Sequence, residues 1–226
     1  SNFNEAKKII DLANKKKLLI MENYMFEFHN QQKWVKKTIN ESLDNIHFFN
    51  ACFAIPGLSK ENFRYNSKLG GGALIDLGGY VLKSLKVFFP KYEAKYISSS
   101  LKYIKKGIDI SGGANFYLKN KTHEFPANLF FGFNHEYRNS IEIWGSGGFL
   151  QTERSFTSPP GFKPKATLRI NNKSTIVELK TDNHFLNIIN HFGFTIRSKE
   201  FKQSYSDISY QAKLQQIIRE KSKKLI

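Results

Sequence analysis

Between Asn62 and Phe89 the chain reads NFRYNSKLGGGALIDLGGYVLKSLKVFF. Three consecutive glycines, Gly70, Gly71 and Gly72, lead into a segment whose apolar residues Leu74, Leu77, Val81, Leu85 and Phe88 recur every three or four positions, the period of a helix. At about 100° per residue these residues form one narrow stripe, and Asp76 and Tyr80, four apart, fall together on the side away from it. Gly72 and Gly79 border that polar side, and Lys83 continues it one turn further on. A glycine inside a helix costs roughly 1 kcal/mol relative to alanine, so two of them call for a compensating gain, such as close approach of a ligand or another backbone. A phenol near a cation can pass a proton to a carbonyl or alkoxide, and a carboxylate one turn away can orient it or hold a sugar hydroxyl. The same residues also fit a plainer arrangement, in which the glycines let a helix lie tightly on a sheet and Tyr80 and Asp76 are an exposed structural pair.

The elements that must carry this segment can be read from periodicity. Residues 3–16 have helical spacing, with Asn2 or Asn4 as the cap, and the short apolar run Leu18–Met21 suits a buried strand. A helix running into a strand is half of a parallel α/β unit. A second helix spans about Asn30 to Ser42, and residues 46–55 form a strand ended by Pro56. From about residue 91, strand-like runs follow at 93–104, 108–118, 125–134, 138–144, 147–151, 165–170 and 174–180. The breaks Gly112-Gly113, Lys119-Asn120-Lys121, Gly145-Ser146-Gly147-Gly148 and Asn171-Asn172-Lys173 read as hairpin turns. Residues 155–164 form a loop, helices cover about 183–197 and 207–222, and the tail KSKKLI is frayed. The expected fold is α+β: a large open, mostly antiparallel sheet with helices on one face, preceded by a residual helix and strand.

Of 226 residues, Lys and Arg number 35 against 19 Asp and Glu, a formal net charge of +16. Binding to a polyanion needs those charges clustered, whereas here the excess is spread along the whole chain and only six of the basic residues are Arg. Composition therefore argues against nucleic acid as a partner. The single cysteine, Cys52, excludes an internal disulfide framework and a Cys-rich zinc site. No stretch approaches the roughly 18 apolar residues of a membrane-spanning helix, and the N-terminus lacks the pattern of a signal peptide, so the expected location is the cytoplasm.

The stretch GGGALIDLGGY, preceded by FRYNSKL, resembles the signature of the glucose–fructose oxidoreductase / inositol dehydrogenase / rhizopine-catabolism (Gfo/Idh/MocA) family, where a glycine patch opens a helix of the form Asp-x-Gly-x-His or Asp-x-Gly-x-Tyr. The passage AKKIIDLANKKKLLIMENYMFEFHNQQKWVKKTI and the stretch SIEIWGSGGFLQTE are similar to further parts of that pattern. The resemblance implies a Rossmann domain binding NAD or NADP, followed by an α+β domain that forms the substrate pocket and associates through its sheet. On this basis residues 1–22 are a remnant of the nucleotide-binding domain, and 23–226 are the substrate-binding and oligomerisation domain. A Gly-x-Gly-x-x-Gly after a strand and the family's Glu-Lys-Pro triplet are both missing. The expectation is thus a fragment that is inactive by itself and binds no cofactor. Tyr80 falls on the family's acid/base position in its Tyr branch, with Asp76 at the associated acidic position. Arg64 falls near the pocket, and Lys83, placed by its spacing on the Asp76–Tyr80 side, and His29 complete the candidate substrate-binding set. The stretch Glu27-Phe28-His29-Asn30 departs from the family's Arg before Phe-His-Pro, which leaves a contact from that arginine without a residue to make it. For His29, a local role at the start of a helix stands beside the pocket role. The implied substrate is a sugar or cyclitol, free or nucleotide-linked, and the implied assembly is a homodimer or larger. The alternative is a non-catalytic oligomerisation or sugar-binding module on the same fold.

Overall fold

In the computed structural model, which describes residues 2–104 and 107–225, the strand Ile46–Ala54 (β1) sits at the centre of one nine-stranded sheet. Its alternation decides its two faces: Phe49, Ala51 and Phe53 are buried beneath the helices, while Phe48, Asn50 and Cys52 are half-exposed on the other side. The remaining strands are Glu93–Tyr103 (β2), Asp109–Lys119 (β3), Glu124–Gly132 (β4), Arg138–Gly145 (β5), Gly148–Glu153 (β6), Lys165–Ile170 (β7), Lys173–Glu178 (β8) and Lys223–Leu225 (β9). They lie in the order β8-β7-β6-β5-β1-β4-β3-β2-β9. Six neighbouring pairs are antiparallel, whereas β1–β4 and β2–β9 are parallel, so the sheet is mixed.

Among the described residues, five helices accompany the sheet: Phe3–Lys16 (α1), Asn30–Ser42 (α2), Gly79–Phe88 (α3), His184–Ser198 (α4) and Lys202–Lys221 (α5). Asn2 caps α1 in a capping box with Glu5. The helix α3 packs on β1 through the Phe88 and Phe49 rings, 6.2 Å apart, while Leu214 and Ile218 of α5 join Leu101 of β2 in the same core. Layered between sheet and α5, α3 is buried almost all round, including Gly79, Lys83 and Ser84. Of the polar side expected from its periodicity, Gly79 and Lys83 are therefore covered by other parts of the chain, whereas Asp76 and Tyr80 stay partly exposed. The opposite face of the sheet leaves Ile97, Tyr117, Phe130 and Trp144 exposed. No helix among the described residues is long and apolar enough to cross a membrane.

Four local expectations are corrected. Leu18–Met21 is not a strand: no strand among the described residues offers its backbone a ladder, Leu18 is 59% exposed, and its carbonyl accepts a hydrogen bond from Tyr205 Oη at 2.6 Å. Gly112 and Gly113 lie inside β3, not in a turn; a Cβ on Gly112 would strike Leu101 and Phe131, so that glycine serves packing. The helix α5 begins at Lys202, ahead of the point its apolar periodicity suggests. The lysine-rich tail is paired, Ser100, Leu101 and Lys102 of β2 aligning with Lys223, Lys224 and Leu225.

Candidate active site

The glycine patch folds the chain back onto itself. Asn62 and Asn66 cap two short 3-10 turns, Phe63–Tyr65 and Ser67–Leu69, and the chain then reverses so that Gly72 N–H donates to the Arg64 carbonyl at 3.0 Å. Gly72 takes φ = 124°, which L side chains rarely adopt, and a Cβ on Gly71 would collide with the Arg64 carbonyl. This turn sets Arg64 beside Asp76: its Nε donates to Asp76 Oδ2 at 2.5 Å and its Nη2 lies 3.4 Å from Oδ1. Leu74–Gly78, which contains Asp76, is a wide π-helical turn before α3, a local irregularity frequent at functional sites. Asp109 of β3 closes the N-terminus of that turn, its Oδ2 accepting from Leu74 N–H at 2.6 Å.

Tyr80, in the first turn of α3, stands in an aromatic enclosure. Tyr24 meets it edge-on at 5.0 Å between centroids, Phe53 at 5.4 Å, Phe26 at 5.9 Å and Phe156 at 6.2 Å. Its Oη lies 3.4 Å from Met25 Sδ, a weak acceptor. Burial, and then the Asp76 charge, push the phenol above its ordinary range, with Arg64 opposing them. Asp76 and Arg64 thus touch each other and act on Tyr80 through their charges. The structure brings these three expected site residues together.

Beneath Tyr80 lies a clamp that periodicity did not suggest. Gln211 of α5, fully buried, donates from Nε2 to the Gly79 carbonyl at 2.7 Å and to Tyr24 Oη at 3.3 Å. A Cβ on Gly79 would run into the Tyr24 hydroxyl. Gly79→Ala will therefore lower the unfolding free energy by about 1–3 kcal/mol in urea denaturation, and an unchanged midpoint would show that the contact is not tight. The glycine pattern marked Gly79 as a close approach, but nothing local to it named Tyr24 or Gln211 as its neighbours.

The other two expected binders are placed elsewhere. Lys83 is 5% exposed, and its Nζ lies 3.8 Å from Glu22, 3.7 Å from Glu27 and 3.7 Å from Asp207, so its charge is answered within the protein. Burial drives Glu22 up to about 7, with Lys83 opposing and Asp207 and Glu27 adding to the rise. His29 is also buried. Its Nδ1 accepts from Gln31 N–H at 3.0 Å to cap α2, which is the local role, and its ring meets His184 edge-on at 5.5 Å. His29 Nε2 and both ring nitrogens of His184 are buried without a partner among the described residues.

That histidine pair gives a pH dependence of definite sign. Burial lowers the pKa of His29 and takes His184 down to about 4, whereas an unfolded histidine titrates near ~6.5. Below that range the unfolded chain binds protons that the fold refuses, so stability declines as pH falls from about 6.5 towards 4. Urea denaturation at about pH 7.5 and about pH 5 will show this loss, and His184→Phe will flatten it. A slope untouched by that substitution would place the protons elsewhere.

No protein-family model matches the chain. A dTDP-3,4-didehydro-2,6-dideoxy-alpha-D-glucose 3-reductase of Saccharopolyspora spinosa is 33% identical over 176 residues, covering 77% of this chain and 52% of the relative. The enzyme of that name from Actinomadura kijaniata is 29% identical over 206 residues, or 91% of this chain and 61% of the relative. The chain is similar to dTDP-sugar 3-reductases. It spans about half to three-fifths of their length. A crystal structure of a 3-ketoreductase from Actinomadura kijaniata in complex with NADP and TDP-benzene superposes with a TM-score of 0.90 at 28% identity, covering 99% of this chain and 69% of that one. The same 3-ketoreductase has been solved with a lysine replaced and with a tyrosine replaced. An aldose–aldose oxidoreductase from Caulobacter crescentus, 15% identical with a TM-score of 0.84 over 97% of this chain and 66% of its own, shares the fold.

Proposed function

We propose that this chain is the substrate side of an NADP-dependent oxidoreductase acting on a keto group of a nucleotide-linked sugar, with residues 1–22 the end of a nucleotide-binding domain and 23–226 the substrate domain. The observation that carries the reading is Tyr80, an enclosed phenol next to a joined Asp76–Arg64 pair, on a backbone that superposes on an enzyme solved with NADP and TDP-benzene. A bound NADP cofactor would supply the hydride. The described residues do not fit as its cradle: the helix N-terminus after the glycines, where a phosphate would sit, is occupied by the Asp109 carboxylate, which would repel an anion. No step is therefore assigned to this chain beyond proton transfer and positioning.

As a carbonyl is reduced, negative charge grows on its oxygen and a proton must arrive. Tyr80 Oη supplies it, and the environment that raises its pKa keeps the phenol protonated at neutral pH, the form a donor needs. Asp76, fixed by two contacts from Arg64, offers its remaining acceptor capacity to a neighbouring sugar hydroxyl. The inactivity expected of the chain alone gains no support from its relatives, which are named as enzymes. The full-length gene product, supplied with NADPH and a dTDP-linked 3-keto sugar, will consume NADPH; no consumption with any dTDP-linked keto sugar overturns the reading. For the uncovered face of the sheet a second copy of the chain is the proposed occupant, and light scattering that returns a clean monomer refutes it.

A further inference from the structure

A nucleotide-linked sugar carries a diphosphate on the sugar ring itself, so the protein must meet two negative charges within about one ring of the reacting carbon. Both cations that the sequence placed near Tyr80 are already matched, Arg64 by Asp76 and Lys83 by three carboxylates. Arg154 differs. It lies two residues from Phe156, whose ring packs on Tyr80, and two residues of chain span at most about 7 Å. No carboxylate pairs with Arg154 among the described residues. Its guanidinium carbon sits 4.7 Å from the centre of the Tyr137 ring and 5.7 Å from that of Phe162, and Nη1 donates to Tyr137 Oη at 3.3 Å. Two rings thus hold the fork in place, and of the nitrogens that carry its five N–H donors only Nη1 has a hydrogen-bond acceptor among the described residues. Arg154 also adopts φ = 51°, a left-handed conformation that costs a non-glycine residue energy.

Arg154 opens on a cavity of about 250 Å³ lined also by Tyr137, Arg138, Asn139, Ser140 and Glu153. Ser140 is 2% exposed, and its hydroxyl, on the opposite face of β5 from the Asn139 side chain, has no partner among the described residues. Arg138 leans on Glu142 at 3.6 Å, and Glu153 contributes the one carboxylate of the lining. Asn139 ties this cavity to the tyrosine enclosure, its Oδ1 accepting from Phe156 N–H at 2.8 Å.

We propose that Arg154, caged by Tyr137 and Phe162, is the site that takes the diphosphate of the substrate. The proposal rests on the nucleotide-sugar reading above and deepens it. Planar bidentate donors suit phosphate oxygens, and stacking between rings preorganises them. Titration calorimetry of this chain with dTDP, inorganic diphosphate and thymidine provides the test. dTDP and diphosphate will bind and thymidine will bind far more weakly. Arg154→Gln will weaken dTDP by about tenfold or more, the scale of charge-assisted hydrogen bonds, and Arg154→Lys by less. Phe162→Ala, which opens the cage but keeps the charge, will weaken it several-fold, with thermal melts confirming that each variant is folded. If Arg154→Gln and Phe162→Ala bind dTDP as the wild type does, the diphosphate site is elsewhere and the nucleotide-sugar reading survives. If diphosphate binds through Arg154 while dTDP and dTDP-linked sugars bind no better than diphosphate alone, the anion site stands and the nucleotide-sugar reading falls. If none of the probes binds, the site is overturned.

Discussion

Replacing Tyr80 with phenylalanine will reduce turnover of a dTDP-linked 3-keto sugar by roughly 10²–10⁴-fold, the usual contribution of a general acid, while leaving the fold intact. Phenylalanine keeps the ring that packs with Tyr24, Phe26, Phe53 and Phe156 and gives up one hydroxyl, whose hydrogen-bond partner is the weakly accepting Met25 Sδ. The two readouts therefore separate: kcat falls and the melting temperature stays within a degree or two. Because burial and Asp76 hold the phenol protonated, the wild-type reduction rate will stay level through neutral pH and decline only on the alkaline side, as the proton is lost. In Arg64→Ala the opposing positive charge is gone, so that alkaline limb will move higher. A full-length Tyr80→Phe variant that turns over within a few-fold of wild type would show that another group supplies the proton.

What could be read from the chain and what could not divides along physical lines. β1 to β8 and the helix Asn30–Ser42 were legible because their signals are local: alternation along a strand, and glycine or asparagine at turns. β9 was not, since Lys223–Leu225 joins the sheet through backbone pairing with β2 and its side chains carry no pattern. Leu18–Met21 had the opposite fault, an apolar run without a ladder to join. In the candidate site, Asp76 and Tyr80 were legible from helical spacing and Arg64 from the family resemblance, while the glycine-built turn that brings Arg64 onto Asp76 shows only in the fold. Helical arithmetic also put Lys83 on the same polar side, but a single helix cannot reveal what packs over it. Glu22 comes from the segment after α1, Glu27 from the 3-10 turn before α2, and Asp207 from α5, and these three decide what Lys83 does. Arg154 escaped notice for a similar reason, because its two rings approach from the start of β5 and from the loop before β7.

The Lys83 cluster carries the largest expected effect on stability. Lys83→Met keeps the length and apolar stem of the side chain and removes the ammonium, leaving Glu22, Glu27 and Asp207 around an apolar end, with Lys86, 2.6 Å from Asp207, and the charge of Lys36 acting on Glu27 to answer them in part. Removing one partner from a buried charge cluster costs about 3–5 kcal/mol, and the carboxylates here are part-exposed, so about 3 kcal/mol at neutral pH is expected in urea denaturation. The loss has a sign in pH. Lys83 is what restrains the rise of Glu22, already at about 7, so in the variant Glu22 climbs further above the unfolded carboxyl value near ~4.3. A folded pKa raised above the unfolded one favours the native state at low pH and penalises it as pH rises through the folded value. The deficit of Lys83→Met will therefore be smallest below about 7, where Glu22 is protonated in both proteins, and will widen as pH rises above it. Adding Glu22→Gln removes one of the stranded charges and will restore part of the lost stability, whereas in the wild-type background the same change will have a much smaller effect. Equal effects of Glu22→Gln in the two backgrounds would mean that Lys83 and Glu22 are not coupled, and the charge cluster would then not be what holds α3, α5 and the Glu22 segment together.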